Sequence, residues 1–187
     1  MNVLPAVVSQ SNATAGGDIV GGNKTTVHNY PIVASRVEAL MVGLAKEIES
    51  KQEVQGIIDS LQFYFKQIAP DGIAGLEAKL THAGRSGELY IAFEKKELFV
   101  KLLDKYSLYE SAQKIFAYLL AKVEHEFNFT VHPQVTHCDV LQINQLISTK
   151  IVEPIVAECG VGPLDVNHNV AMGMVYWLAE QCFVRWH

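Results

Sequence analysis

Cysteine is scarce in this chain, three among 187 residues. Cys138, Cys159 and Cys182 form no Cys-x-x-Cys pair. An odd count without that spacing excludes a disulfide framework and a zinc ribbon. Charge is sparse too, with Asp, Glu, Lys and Arg at 19% and a net charge of −5. An acidic chain lacks the electrostatic footprint of a duplex-binding protein, which argues against direct nucleic-acid binding. The most apolar stretch, Val170–Val184, runs only 15 residues and contains Glu180 and Gln181. A membrane span needs about 20. Met1–Gln10 has no basic residue ahead of its short apolar run. It therefore does not read as a secretory signal, and a reducing cytoplasm is the expected location.

What is present suits a globular domain. Hydrophobic residues make up 49% of the chain, and its length allows one domain with an appendage. The charges divide it. Residues 1–34 hold only Lys24 and Asp18, whereas 35–130 carry an ordinary charged surface. Residues 131–187 hold Lys150 and Arg185 against Asp139, Glu153, Glu158, Asp165 and Glu180. That last third is either the buried centre or a surface that meets a partner.

Residues 1–34 read as a Gly/Asn/Thr-rich, β-forming oligomerisation arm. Asp18-Ile19-Val20 and Lys24 to Tyr30 form two short strands around Gly21-Gly22-Asn23, and Pro31 stops the second. A phosphate-binding loop is the competing reading, but it requires Lys directly after the second glycine. Here Asn23 separates Gly22 from Lys24. A lone hairpin is marginal in water, so Asp18, Ile19, Val20, Thr25, Val27 and Tyr30 are expected to pair between protomers. A flexible tether is the alternative.

Residues 35–187 read as an α-helical domain, giving a mainly α fold: a multi-helix bundle with a short N-terminal hairpin arm. Val54, Ile57, Ile58, Leu61, Phe65 and Ile68 predict one amphipathic helix ended by Pro70-Asp71-Gly72. Leu76 and Leu80 mark a short helix closed near Gly84, and Glu88–Tyr106 a longer one. Ser107 with Glu110 predicts a capping box opening the next helix, which carries Ala112 to Phe127 on one face. Thr136–Asp139 opens a helix reaching Lys150, with Glu153-Pro154 a kink or a fresh start. The last helix runs from about His168 to Arg185. It is apolar nearly all round, and Met174, Trp177, Phe183 and Trp186 are its core or interface residues.

No chemistry rises above a structural explanation. His132, His137 and Cys138 lie close together, but neither H-E-x-x-H nor C-x-x-C accompanies them. The enzyme alternative is a cysteine- or metal-dependent hydrolase using the His132–Cys138 region, with Cys138 near a helix start. Glu124-His125-Glu126 reads as ordinary helix surface. Lys95, Lys96, Lys101 and Lys105 are interspersed with Glu94, Glu97 and Asp104, a solvated face. No catalytic, cofactor-binding or metal-ligating residue is assigned, and the expected protein is not an enzyme.

Four segments resemble the small helical proteins and domains of bacterial ABC-three-component systems. They are GGDIVGGNKTTV (16–27), SLYESAQKIFAYLLAKVEHEFN (107–128), IVEPIVAECG (151–160) and HNVAMGMVYWLAEQCFVRWH (168–187). Such systems are thought to couple an ABC- or SMC-like ATPase to an effector in defence against phage and other invading DNA. The resemblance implies an accessory or adaptor role beside a larger ATPase or effector protein. It brings no catalytic residues with it. The expectation is therefore a homo-oligomeric, non-enzymatic adaptor subunit without cofactor.

Overall fold

Helices α1 (Arg36–Ser50), α2 (Asp59–Gln62) and α3 (Gly75–His82) come first in the computed structural model, which describes residues 35–67, 69 and 71–187. Then follow α4 (Leu89–Tyr106), α5 (Glu110–Glu126), α6 (Val140–Ile147), α7 (Glu153–Cys159) and α8 (His168–Glu180). The described residues contain no strand, so this part is mainly helical as expected. The β-forming arm, with Asp18, Ile19, Val20, Thr25, Val27 and Tyr30, lies outside the described residues.

The helix predicted through Val54–Ile68 is not formed as one element over its described residues, 54–67. Ser35 and Glu38 cap α1 reciprocally, and α1 stops at Lys51, whose φ of 52° is left-handed. Backbone from Val54 to Ile58 then bonds to other elements instead of to itself. Val54 N–H donates to the Leu108 carbonyl at 2.8 Å. The fully buried Gln113 accepts from Ile58 N–H at 2.7 Å and donates to the Gly56 carbonyl at 2.9 Å. Gly56 turns the chain at φ 93°, which a helix cannot contain. Only α2 and a 3₁₀ turn at Phe63–Phe65 remain helical. A clean apolar stripe loses here to one buried amide.

The capping box expected at Ser107 is likewise replaced. Ser107 finishes α4, donating its hydroxyl to the Asp104 carbonyl at 2.9 Å. Tyr109 stands at the start of α5 and supplies no side-chain cap. The carboxylate of Glu47 arrives from α1 instead, accepting from Ser111 N–H at 3.1 Å and Ser111 Oγ at 2.6 Å. A carboxylate there satisfies an orphan donor and complements the positive end of the helix.

Asp139 does open α6, in a reciprocal cap with Gln142. The helix continues past Lys150 through a π-helical turn, Ser148–Val152, into α7. Another π turn, Phe127–Val131, extends α5. Each ends two residues before a proline, Pro154 and Pro133. Proline lacks the N–H for the carbonyl four residues back, and its ring collides with that carbonyl. Those carbonyls, Lys150 and Phe129, both sit within the widened turns, so the helix goes on where a regular one would break.

Helix α8 is buried along its length from Val170 to Ala179, packed chiefly on α4 and also against α3, α5 and α7. Asn167 caps its start, accepting from Asn169 and Val170 N–H. The helix is shorter than predicted. It ends at Glu180, and Cys182 reverses the chain at φ 69°. The α3 and α8 ends satisfy each other. Lys79, 1% exposed, donates its ammonium to the Ala179 carbonyl, and Glu180 accepts from Leu76 N–H at 3.0 Å. A cation thus meets the negative end of α8 and a carboxylate the positive end of α3. Beyond α8, Arg185 and His187 hold Asp71, which also accepts from Ile73 N–H. The His187 contact, then the Ile73 N–H and Arg185, keep the Asp71 carboxyl well below the usual carboxylate range.

Three substitutions test these contacts. A methyl group at Gly173 would stand inside the Lys95 carbonyl oxygen and 3.0 Å from Phe99 Cβ. Alanine gains about 1 kcal/mol of helix propensity, but a clash with backbone cannot relax by rotamer change. Gly173→Ala should therefore lose about 2 kcal/mol or more net, read as a lower denaturant midpoint. Glu47→Ala should cost about 1–2 kcal/mol, as loss of a helix cap does. Ser107→Ala should stay within about 0.5 kcal/mol, because Ser107 does not cap α5. Equal losses from the last two would contradict the capping by Glu47.

Candidate functional site

The His132–Cys138 region does not assemble a catalytic group. His132 Nε2 lies 3.0 Å from the His187 carbonyl oxygen, and the exposed His137 donates its backbone N–H to Gln134. Cys138 Sγ lies 4.0 Å from Gln134 Oε1. Cys159 is buried on α7, and burial, with the nearby Glu158 charge, pushes its thiol up to about 12. A thiol held protonated at neutral pH is a poor nucleophile. Among the described residues no group of three or more His, Cys, Asp or Glu is placed to hold a metal ion. The hydrolase alternative has no support in this geometry.

Met174, Trp177 and Trp186 are buried, and the half-buried Phe183 packs on Phe63 and Tyr64. Trp177 meets Phe99 of α4 and Phe65 edge-on, and Trp186 meets Phe127 in the same way. These side chains fill the core of the body. Among the described residues no helix is long and apolar enough to cross a membrane.

Polar groups converge elsewhere. A cleft of about 300 Å³ opens between the start of α4, the α6–α7 helix and α8. Glu88 comes from the 3₁₀ turn before α4, and Lys95 from α4 itself. Asn144 and Ile147 come from α6, and Ser148 and Val152 from the π turn. His168, Met172 and Tyr176 line it from α8. The spacing 168, 172, 176 places these three on one helix face. Widened turns of this kind are frequent at functional sites. The Ser148–Val152 turn sends two side chains into the cleft wall.

Arg85 lies behind the cleft, 4% exposed. Its Nη2 donates to Glu88 Oε2 at 2.8 Å and to Asn144 Oδ1, and its guanidinium lies over the Trp186 ring at 5.4 Å. Its Nε is buried without a hydrogen-bond partner among the described residues. One buried cation thus fixes two of the cleft's polar side chains. Tyr176 is buried, and its phenol is pushed up to about 12, first by desolvation and then by the Glu88 charge. It is a neutral hydroxyl at any physiological pH.

Lys95 reads in the sequence as part of a solvated face, and Arg85, Glu88, Asn144, Ser148 and Tyr176 carry no motif there. Arg85 and Glu88 lie three apart at one turn and Asn144 and Ser148 four apart on one helix, but no spacing along the chain links these pairs to each other or to Lys95 and Tyr176. The one usable signal was Arg85 itself, a lone arginine between two short apolar segments.

The matches to known proteins are narrow. No curated protein and no solved structure matches the chain. One family model does, described as C-terminal domain 9 of the ABC-three component (ABC-3C) systems, over residues 75–186. That stretch is more than half of the chain. It takes in α3 through α8 and every residue of the cleft, and it leaves out α1 and α2. By that match, the chain belongs to the C-terminal domain 9 family of the ABC-three component systems.

Proposed function

We propose that this chain is a non-catalytic adaptor of a bacterial defence system of the ABC-three component type. In this reading residues 1–34 assemble copies of the chain, and the helical body engages a larger ATPase or effector of the same system. The family match over residues 75–186 is the observation that carries the proposal, because it places the body in a system of several components. The contacts of His132 with the His187 carbonyl and of Cys138 with Gln134 are in keeping with the non-catalytic part.

Co-expression with the other proteins of its system tests the adaptor role. The tagged chain should co-elute with the ATPase or the effector at a fixed ratio. Elution of the chain alone, with and without nucleotide, would count against it. Mass measurement in solution tests the assembly role. The full chain should contain more protomers than a chain beginning at Ser35, and equal protomer numbers would remove residues 1–34 as the assembler.

A further inference from the structure

Among the described residues the one carboxylate lining the cleft, Glu88, is already engaged. Glu88 accepts from Arg85 at 2.8 Å; the Arg85 side chain is 3% exposed and that of Glu88 27%, so a buried cation holds a half-buried carboxylate. Arg85 also takes the oxygen of the Asn144 amide. An amide whose oxygen is bonded on one side presents its NH₂ group on the other, so Asn144 offers the cleft a donor. Lys95, half-buried, makes no ion pair among the described residues. Arg85 and Glu88 offset each other, which leaves Lys95 as the net charge of the polar end, while Glu153 holds the Ser148 hydroxyl at 3.2 Å. Low local dielectric strengthens the pull of the Lys95 charge. The remaining wall is mostly apolar, with Ile147, Val152, Met172 and the Tyr176 ring, and it also carries Ser148 and His168.

We propose that the cleft binds a small organic anion, a carboxylate or phosphate monoester carried on an apolar body. The anionic group faces Lys95 and the Asn144 amide, and the body lies against Met172, Ile147 and Tyr176. A volume of about 300 Å³ suits a small molecule, at the lower end of ligand-pocket sizes. The π turn is the device that admits it, because Ser148 and Val152 line the space from the widened segment. This site goes beyond the adaptor reading and stands or falls apart from it. Co-elution with partner proteins tests one, and small-molecule titration tests the other.

The test is titration of the full chain with phenylacetate, phenyl phosphate and benzylamine, followed by backbone amide NMR shifts. At least one of the two anions should bind saturably at about millimolar concentration, as befits so small a ligand. The shifts should centre on Lys95, Asn144, Ser148 and Met172. Whichever anion binds more tightly identifies the headgroup as carboxylate or phosphate. Lys95→Gln should weaken binding about tenfold with an unchanged melting temperature, and Lys95→Arg should restore it. If Lys95→Gln itself melts early, Met172→Trp, which fills the cleft, should abolish binding instead. The proposal is overturned by an absence of saturable shifts with either anion. Benzylamine binding as tightly as the anions overturns it too, as does affinity indifferent to Lys95→Gln and Met172→Trp.

Discussion

A helix buried on most of its sides must have its ends satisfied by its neighbours, because water cannot reach them. The C-terminal end of helix α8 is in that position, and α3 is arranged around it, whereas its start at Asn167–Asn169 is exposed. Its last carbonyls receive the Lys79 ammonium, a cation almost withdrawn from solvent. Its final residue, Glu180, caps α3, reaches Lys96 at 3.4 Å, and gives its carbonyl to Gln67. A charge inside an apolar stretch looks like a defect in one dimension. Here it is what lets α3 dock, since burying α3 with an open N-terminal donor would cost about as much as a lost hydrogen bond.

Close approach is the other requirement of a central helix. Gly173 lets the α4 backbone come within contact of α8, and the aromatic cluster of Phe99, Phe116 and Trp177 fills the space on either side. The same crossing sets the distance across the cleft, whose walls are α4 and α8 with the α6–α7 helix. The prolines contribute at one remove. By widening the turn before Pro154, the chain keeps one long helix and still places Ser148 and Val152 at the cleft. Packing and candidate site therefore share one geometry.

The family match begins at α3, and the two helices before it are attached by polar side chains as well as by apolar burial. Glu47 caps α5, and Gln113 holds the segment between α1 and α2. On the far side, Glu158 accepts from Tyr118 and Lys122, tying α7 to α5, while Arg36 lies 5.3 Å over the Tyr118 ring. These contacts add α1 and α2 to the family's domain as parts of one body.

The sequence alone determined the helical class, the short helix through Leu76 and Leu80, α4, α5, the Asp139 start of α6 and the buried character of α8. Each is written locally, in apolar periodicity, caps and glycines, which act over a few residues. Its resemblance to ABC-three component proteins was legible in the same way, as runs of residues. Tertiary structure alone decided three things. The stripe at Val54–Phe65 was broken because Gln113, 55 residues from Ile58, outbid the helix for its hydrogen bonds. The start of α5 was capped by Glu47 and not by Ser107, since a carboxylate 64 residues away reached Ser111 first. The cleft joined Glu88, Lys95, Asn144, Ser148 and His168 from elements that share no pattern. Hydrogen-bond partners distant in the chain leave no period in a sequence, because only folding brings donor and acceptor within 3 Å.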